Sequence, residues 1–263
     1  MTLGEIRKLL FALLNKDQSG NSFTPASYNL EIQSKNLDLI NVEYDKLKQL
    51  AQTKGTSIYK ELYNSSSLRI FKKEKTIALH DKGIIAKSEI TNYLYPLSAI
   101  VIDNDIIRKL DFIDDDEANR RKTNAIERPL DQFPIAVELS ERFILTPNNI
   151  ENVKVNYIKT PDTPYYDYCI RDDNDREEYM PVGSKIEGDH KLYNKDGGLL
   201  LSGQTVTHVG TIPKPYTSLS VEFEWESFMH IKLISMILTD MGVTIRDAEI
   251  LKYGMAEEQK QQV

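Results

Sequence analysis

Cysteine is all but missing from this chain. Cys169 stands alone, so no intramolecular disulfide framework is possible and a reducing compartment is expected. Long apolar runs are missing too. No stretch approaches the roughly 20 consecutive apolar residues that a membrane span needs. The opening M-T-L-G-E-I-R is interrupted at Lys8 and spaced like an amphipathic helix, not like a signal peptide. Positive charge is in deficit: the net charge of −7 argues against a general grip on nucleic acid, although a local basic patch stays possible. Catalytic signatures are missing as well. There is no G-x-S-x-G, no G-x-x-x-x-G-K-[ST] and no G-x-G-x-x-G. His80, His190, His208 and His230 are scattered, with no H-x-x-x-H or H-E-x-x-H spacing.

What is present is ordinary soluble material: 263 residues, 40% hydrophobic and 28% charged, enough for one large domain or two small ones. The stretch from Glu127 to Pro164 organises the rest. Its apolar runs Ile135–Leu139, Phe143–Leu145 and Val153–Ile158 are each closed by proline, asparagine or charge. Val153, Val155 and Tyr157 alternate with Lys154 and Asn156, the period of a half-buried strand. Together the runs predict a small β-meander.

Helices bracket this stretch. Leu3, Ile6, Leu9, Leu10, Leu13 and Leu14 share one face of a first helix that Thr2 can cap. Thr24-Pro25 starts a second, running to about Gln52, whose periodicity drifts near Lys35–Asp38 and leaves a kink or break open there. A third, short helix is expected over Ser57–Tyr63. From Leu68 onward short apolar runs alternate with turns: Leu68–Phe71, Ile77–Leu79, Gly83–Ala86 and Ala99–Ile102. The run Asp114–Lys122 reads as one surface helix, acidic first and basic last, as its dipole prefers. Pro164–Ile170 and Leu219–Trp225 are candidate strands, and Lys191–Val206 a hairpin turning at Lys195-Asp196-Gly197-Gly198. Ser227 is placed as cap of a helix with Phe228, Ile231, Ile234, Ile237, Leu238 and Met241 on its face and Gly242 at its end; Ile245–Tyr253 and a polar tail follow. The expected class is α+β, with N- and C-terminal helices packed together and flanking a β-rich, sandwich-like antiparallel middle. The expected division is 1–66 helical, 67–226 β-rich with one short helix near 114–124, and 227–263 helical with a tail.

Each candidate for chemistry has a plainer account. Asp17-Gln18-Ser19-Gly20-Asn21 hints at a calcium loop, but its glycine and the twelfth residue, Tyr28, are wrong for an EF-hand. Asp172, Asp173, Asp175, Glu177 and Glu178 are interleaved with Arg171 and Arg176, which suits a solvated loop better than a cation site. Glu187 and His190 form only an isolated pair, and Cys169 lies in an apolar run where a thiol is inert. The fourteen tyrosines fall mostly at packing positions. No catalytic, cofactor or metal residue is assigned.

The segments L-L-N-K-D-Q-S-G-N-S-F-T-P-A-S-Y-N, R-P-L-D-Q-F-P-I-A-V with V-K-V-N-Y-I-K-T-P, and G-V-T-I-R-D-A-E-I-L-K-Y-G span both ends and the centre. In these the chain resembles the neck or head–tail connector ring proteins of tailed bacteriophages of gut bacteria, the crAss-like kind included. The resemblance implies a virion structural protein assembled in the host cytoplasm. It also implies a homo-oligomeric ring of about twelve copies, contact with the portal and adjacent neck or tail proteins, passive contact with passing DNA, and no catalysis or membrane. The alternative is a β-sandwich binding module that recognises glycan or a host surface.

Overall fold

The computed structural model describes residues 1–16, 24–79, 83–103, 106–201, 204–208 and 215–241. Among these, α1 (Leu3–Lys16), α2 (Pro25–Lys54) and α3 (Ile58–Asn64) come first. Strands β1 (Lys72–Ala78), β2 (Ile84–Ala86), β3 (Tyr93–Asp103) and β4 (Ile106–Ile113) lead into α4 (Asp115–Thr123). Then come β5 (Ile135–Glu138), β6 (Arg142–Thr146), β7 (Asn152–Lys159), β8 (Tyr168–Arg171) and β9 (Glu177–Tyr179). Short strands β10 (Lys185–Ile186), β11 (Leu192–Tyr193), β12 (Val206–His208) and β13 (Tyr216–Thr217) precede α5 (Ser227–Asp240). The class is α+β. Helix gives way to strand between 64 and 72, and irregular chain to helix at 227, but the compact units divide elsewhere: one is Val42–Pro161, the other Met1–Asn41 with Asp162–Val263.

In the unit Val42–Pro161 a seven-stranded sheet runs β1-β7-β3-β4-β5-β6-β2. Its edges, β1 and β2, are sequence neighbours. Seven flat strands would span about 29 Å, whereas the six steps from Ala78 to Ile84 reach at most about 22 Å, so the sheet must curl. Side chains from strands all round it meet on the inside: Ile77, Ile85, Val101, Leu110, Ala136, Phe143, Leu145, Val153 and Val155 form one core. The Val153/Val155/Tyr157 alternation is seen as expected, all three being buried.

The meander is corrected. β5 and β6 are antiparallel neighbours, but β7 crosses to the far side and pairs with both β1 and β3. The sheet is also not wholly antiparallel: β4 and β5 run parallel, linked through α4. α4 covers one face of β5, where Ala118 meets Ile135 and Val137, while Ala136 faces the core. That two-sided burial is why Ile-Ala-Val reads as an unbroken apolar run. Leu68–Phe71 ends in a 3-10 turn, Arg69–Phe71, and the strand is the charged Lys72–Ala78 beyond it. Lysines on an edge strand discourage pairing with other chains.

In the other unit α1 and α5 pack together, and all six predicted apolar positions of α1 are buried. Thr2 and Glu5 form a reciprocal capping box: Glu5 N donates to Thr2 Oγ1 at 3.2 Å and Thr2 N to Glu5 Oε2 at 2.7 Å. α2 is continuous through Lys35–Asp38. Its polar positions there are occupied: Asn29 Nδ2 donates to the Tyr166 carbonyl at 3.0 Å, Gln33 Nε2 to that of Pro164 at 3.3 Å, and Asn36 Nδ2 to that of Asp162 at 3.1 Å. Asn36 also accepts from Trp225 Nε1 at 2.7 Å. One helix face thus carries a ladder of amides that holds the extended chain 162–166.

Further corrections fall in this unit. Leu219–Trp225 is extended but unpaired except where Val221 bridges Tyr165. Phe223 and Trp225 are buried as expected, but Leu219 is 63% exposed while Ser218 and Ser220 are buried, so at that end the polar residues face inward. The predicted strand Pro164–Ile170 starts later, at Tyr168, and the acidic loop is shortened because Glu177–Tyr179 is a strand. The predicted hairpin survives only at its turn. Tyr193 bridges Leu199, but Val206 onward pairs with β8. Glu226, not Ser227, is the cap of α5, and its buried face is Met229, His230, Leu233, Ile234, Ile237 and Leu238. The Asp17 loop, His80, Gly242, Ile245–Tyr253 and the tail lie outside the described residues.

Candidate functional site

Arg7 occupies a position that should be apolar, one turn from Leu3 and from Leu10 on the inner face of α1. Only 7% of it is exposed. Its guanidinium lies 5.1 Å from the centre of the Phe11 ring and 5.0 Å from that of Tyr166. It pairs with Glu177 at 2.5 Å and donates to Tyr166 Oη at 3.3 Å. Tyr166 stacks on Tyr179 with ring centres 5.1 Å apart. α1 approaches Tyr179 so closely at Gly4 that a Cβ there would lie 2.7 Å from the Tyr179 ring. These groups line a cleft of about 590 Å³ together with Lys8, Asp175, Arg176 and Glu178.

Glu222 closes the arrangement. One oxygen accepts from Leu3 N at 2.7 Å, capping α1 from a distant segment, and the other accepts from Tyr179 Oη at 2.5 Å. Burial, followed by this carboxylate, pushes the Tyr179 phenol well up, so it remains a neutral donor. Beneath lies Asp167, 3% exposed, whose Oδ2 accepts from Tyr216 Oη at 2.7 Å and Leu219 N at 2.9 Å and whose Oδ1 accepts from Tyr168 N at 3.0 Å. Cation, anions and phenols here hold one another.

The residues singled out from sequence are dispersed. Cys169 is buried, and burial pushes its thiol up to about 12, far from a reactive thiolate. In the acidic loop Arg171 takes Asp173 at 3.0 Å and Glu178 at 3.5 Å, Asp172 accepts from Thr207 at 2.9 Å, and Glu177 belongs to Arg7. Among the described residues no three of His, Cys, Asp or Glu converge as metal ligands. Glu187 and His190 meet in a turn, His190 N donating to the Glu187 carbonyl at 3.0 Å. The Asp114 carboxylate instead caps α4, accepting from Glu117 N at 2.7 Å.

His230 is buried on α5. Its Nε2 lies 2.9 Å from the Trp225 carbonyl, and its Nδ1 has no hydrogen-bond partner among the described residues. Burial and then the amino terminus hold the imidazole below its ordinary 6.5, against weaker opposing pulls from the Trp225 carbonyl and Glu5. The unfolded chain therefore takes up this proton first. The imidazole's contribution to stability is complete above about 6.5 and declines as the pH falls below it. Thermal melts at pH 7.5 and 5.5 are expected to show a loss at the lower pH that is smaller in His230→Gln. An equal loss in both proteins would contradict this assignment.

The second recess is in the unit Val42–Pro161, a cleft of about 560 Å³ walled by Tyr59, Phe112 and Ile113 and by Asp114, Glu117 and Glu138. Tyr59 lies 5.8 Å from Phe112. Glu138 Oε1 accepts from Tyr93 Oη and pairs with Lys87, each at 2.7 Å. Sequence inspection passed over both recesses. For Arg7 a signal existed, a cation inside an apolar stripe; for Glu138, at the end of a short strand, there was none. Among the described residues no helix is long and apolar enough to cross a membrane. Set against known proteins, the chain matches no protein-family model and no curated protein.

Proposed function

We propose that the chain is a virion structural subunit, part of a neck or head–tail connector ring that bridges portal and tail of a tailed phage. Support comes from the three sequence segments already quoted and from one structural observation. Each compact unit, taken alone, holds large apolar side chains in water on regular or anchored backbone: Leu30 and Leu37 on α2 in one, Ile107, Ile126, Leu130 and Phe133 in the other. Single exposed apolar residues are commonplace, but Ile126, Leu130 and Phe133 crowd into one short segment, as at surfaces that become covered. A net charge of −7 suits a channel through which DNA passes without being held.

Light scattering on the purified protein, alone and with the portal or adjacent neck protein, tests the proposal. A closed assembly of about a dozen copies, alone or with partner, is the expected result. A monomer that ignores those partners would overturn it and favour the glycan- or surface-binding alternative.

A further inference from the structure

The segment between α4 and β5 presents apolar side chains from a backbone that is tied down. Ile126 is 93% exposed, Leu130 56% and Phe133 70%. Yet Asn124 N donates to the carbonyls of Arg120 and Arg121, and Ile126 N to Asn124 Oδ1 at 3.0 Å. Arg120 holds Glu127 at 2.5 Å, Phe133 N donates to the Leu130 carbonyl at 2.9 Å, and Asn149 donates to Asp131 at 3.2 Å. A surface element already fixed in shape loses little freedom on docking. Between its apolar residues stands Arg128, which forms no ion pair with any described residue.

The cleft walled by Tyr59, Phe112 and Ile113 is complementary to it in charge. Glu117 is neutralised by Arg120 and Arg121 at 2.6 and 2.7 Å. Asp114 and Glu138 each spend one oxygen internally, on Glu117 N and on Tyr93 with Lys87. Their other oxygens accept no hydrogen bond from a described residue. Two aromatic faces beside two carboxylates suit a guanidinium flanked by apolar groups. The segment leaves α4 at its C-terminal end, while the cleft lies at its N-terminal end, about 13 Å away along the axis.

We infer that residues 126–133 of one copy dock in this cleft of a second copy, with Arg128 against Asp114 and Glu138 and the apolar side chains on Tyr59 and Phe112. Donor and acceptor are different surfaces, so the contact is heterologous. It repeats from copy to copy and closes into a ring where the rotation permits. The contact presupposes the ring subunit proposed above.

Disulfide trapping between two differently sized chains tests it. Full-length protein carrying Ile126→Cys is mixed with a size-tagged chain carrying Ile113→Cys, under the conditions in which assemblies form, and oxidised. The native Cys169 is buried and should stay silent. Circular dichroism verifies that each variant is folded. A linked pair of unequal chains, absent from either variant alone and reduced at least tenfold by adding Arg128→Glu to the first chain, is the expected result. A link indifferent to Arg128→Glu would overturn the charge pairing. Assemblies of defined mass without the link would overturn this contact and leave the ring subunit standing, whereas no assembly with any partner would overturn both.

Discussion

Replacing Phe143 by alanine is expected to destabilise the unit Val42–Pro161 by about 4 kcal/mol, within the range for emptying an aromatic site in a closed core. Phe143 is 1% exposed and packs in the core inside the curled sheet, with ring centres 5.5 Å from Tyr93 and 5.7 Å from Phe112. Strands from all sides meet there, so no single element can move in to fill the space. Phe143→Leu keeps most of the volume and should cost about 1.5 kcal/mol. Urea unfolding followed by far-UV circular dichroism measures both. Equal losses for the two variants would mean that the site collapses freely and that the sheet is less closed than its topology requires.

The second large effect is expected at Asp167. Its carboxylate takes donors from Tyr216, Leu219 and Tyr168, so Asp167→Ala leaves buried O–H and N–H groups unanswered. Hydrogen bonds to a charged acceptor contribute about 1.5–3 kcal/mol each, and a loss of about 3 kcal/mol or more follows. Asparagine should not rescue it. Donors reach both oxygens, so an amide must turn its NH₂ toward an N–H or an O–H whichever way it lies. Asp167→Asn is therefore expected within about 1 kcal/mol of the alanine variant. Trp225, the one tryptophan, lies in the same unit and reports its unfolding by fluorescence. An asparagine variant as stable as the parent would show that the carboxylate is replaceable.

Periodicity made the helices legible. Thr2, the Leu3–Leu14 stripe, Thr24-Pro25 and the acidic-then-basic run after Asp114 carry local signals that tertiary context did not override. Strand positions in the centre were legible for the same reason. Pairing was not: nothing in Val153–Ile158 says that β7 must leave β6 and lie between β1 and β3. Alternation also misled at one end of Leu219–Trp225. Phe223 and Trp225 are buried as their alternation predicts, but Leu219 and Val221 are exposed, because Ser220 Oγ donates to the Met180 carbonyl at 2.7 Å and draws the polar side inward at that end. The apolar periodicity of α2 drifts near Lys35–Asp38, yet the helix continues, and Asn29, Gln33 and Asn36 give it a polar face as well. Their own spacing is helical, and it marks the face that grips the chain at 162–166. Candidate sites were legible only as absences, since a cation within an apolar stripe and a carboxylate at a strand end acquire meaning through neighbours far along the chain.

That amide ladder also sets an order of events during synthesis. It joins positions more than a hundred residues apart, and the unit it completes has its two pieces on either side of Val42–Pro161. On the ribosome the inserted unit has all its strands in hand before Tyr166 is made, so it is able to fold as a unit while α1 and the first half of α2 wait. During that interval the leucine face of α1 lacks α5, the helix on which it finally packs. A helix made before the inserted unit is thus buried after it, and in that interval the nascent protein is open to capture by chaperones, or to aggregation, through Leu3–Leu14.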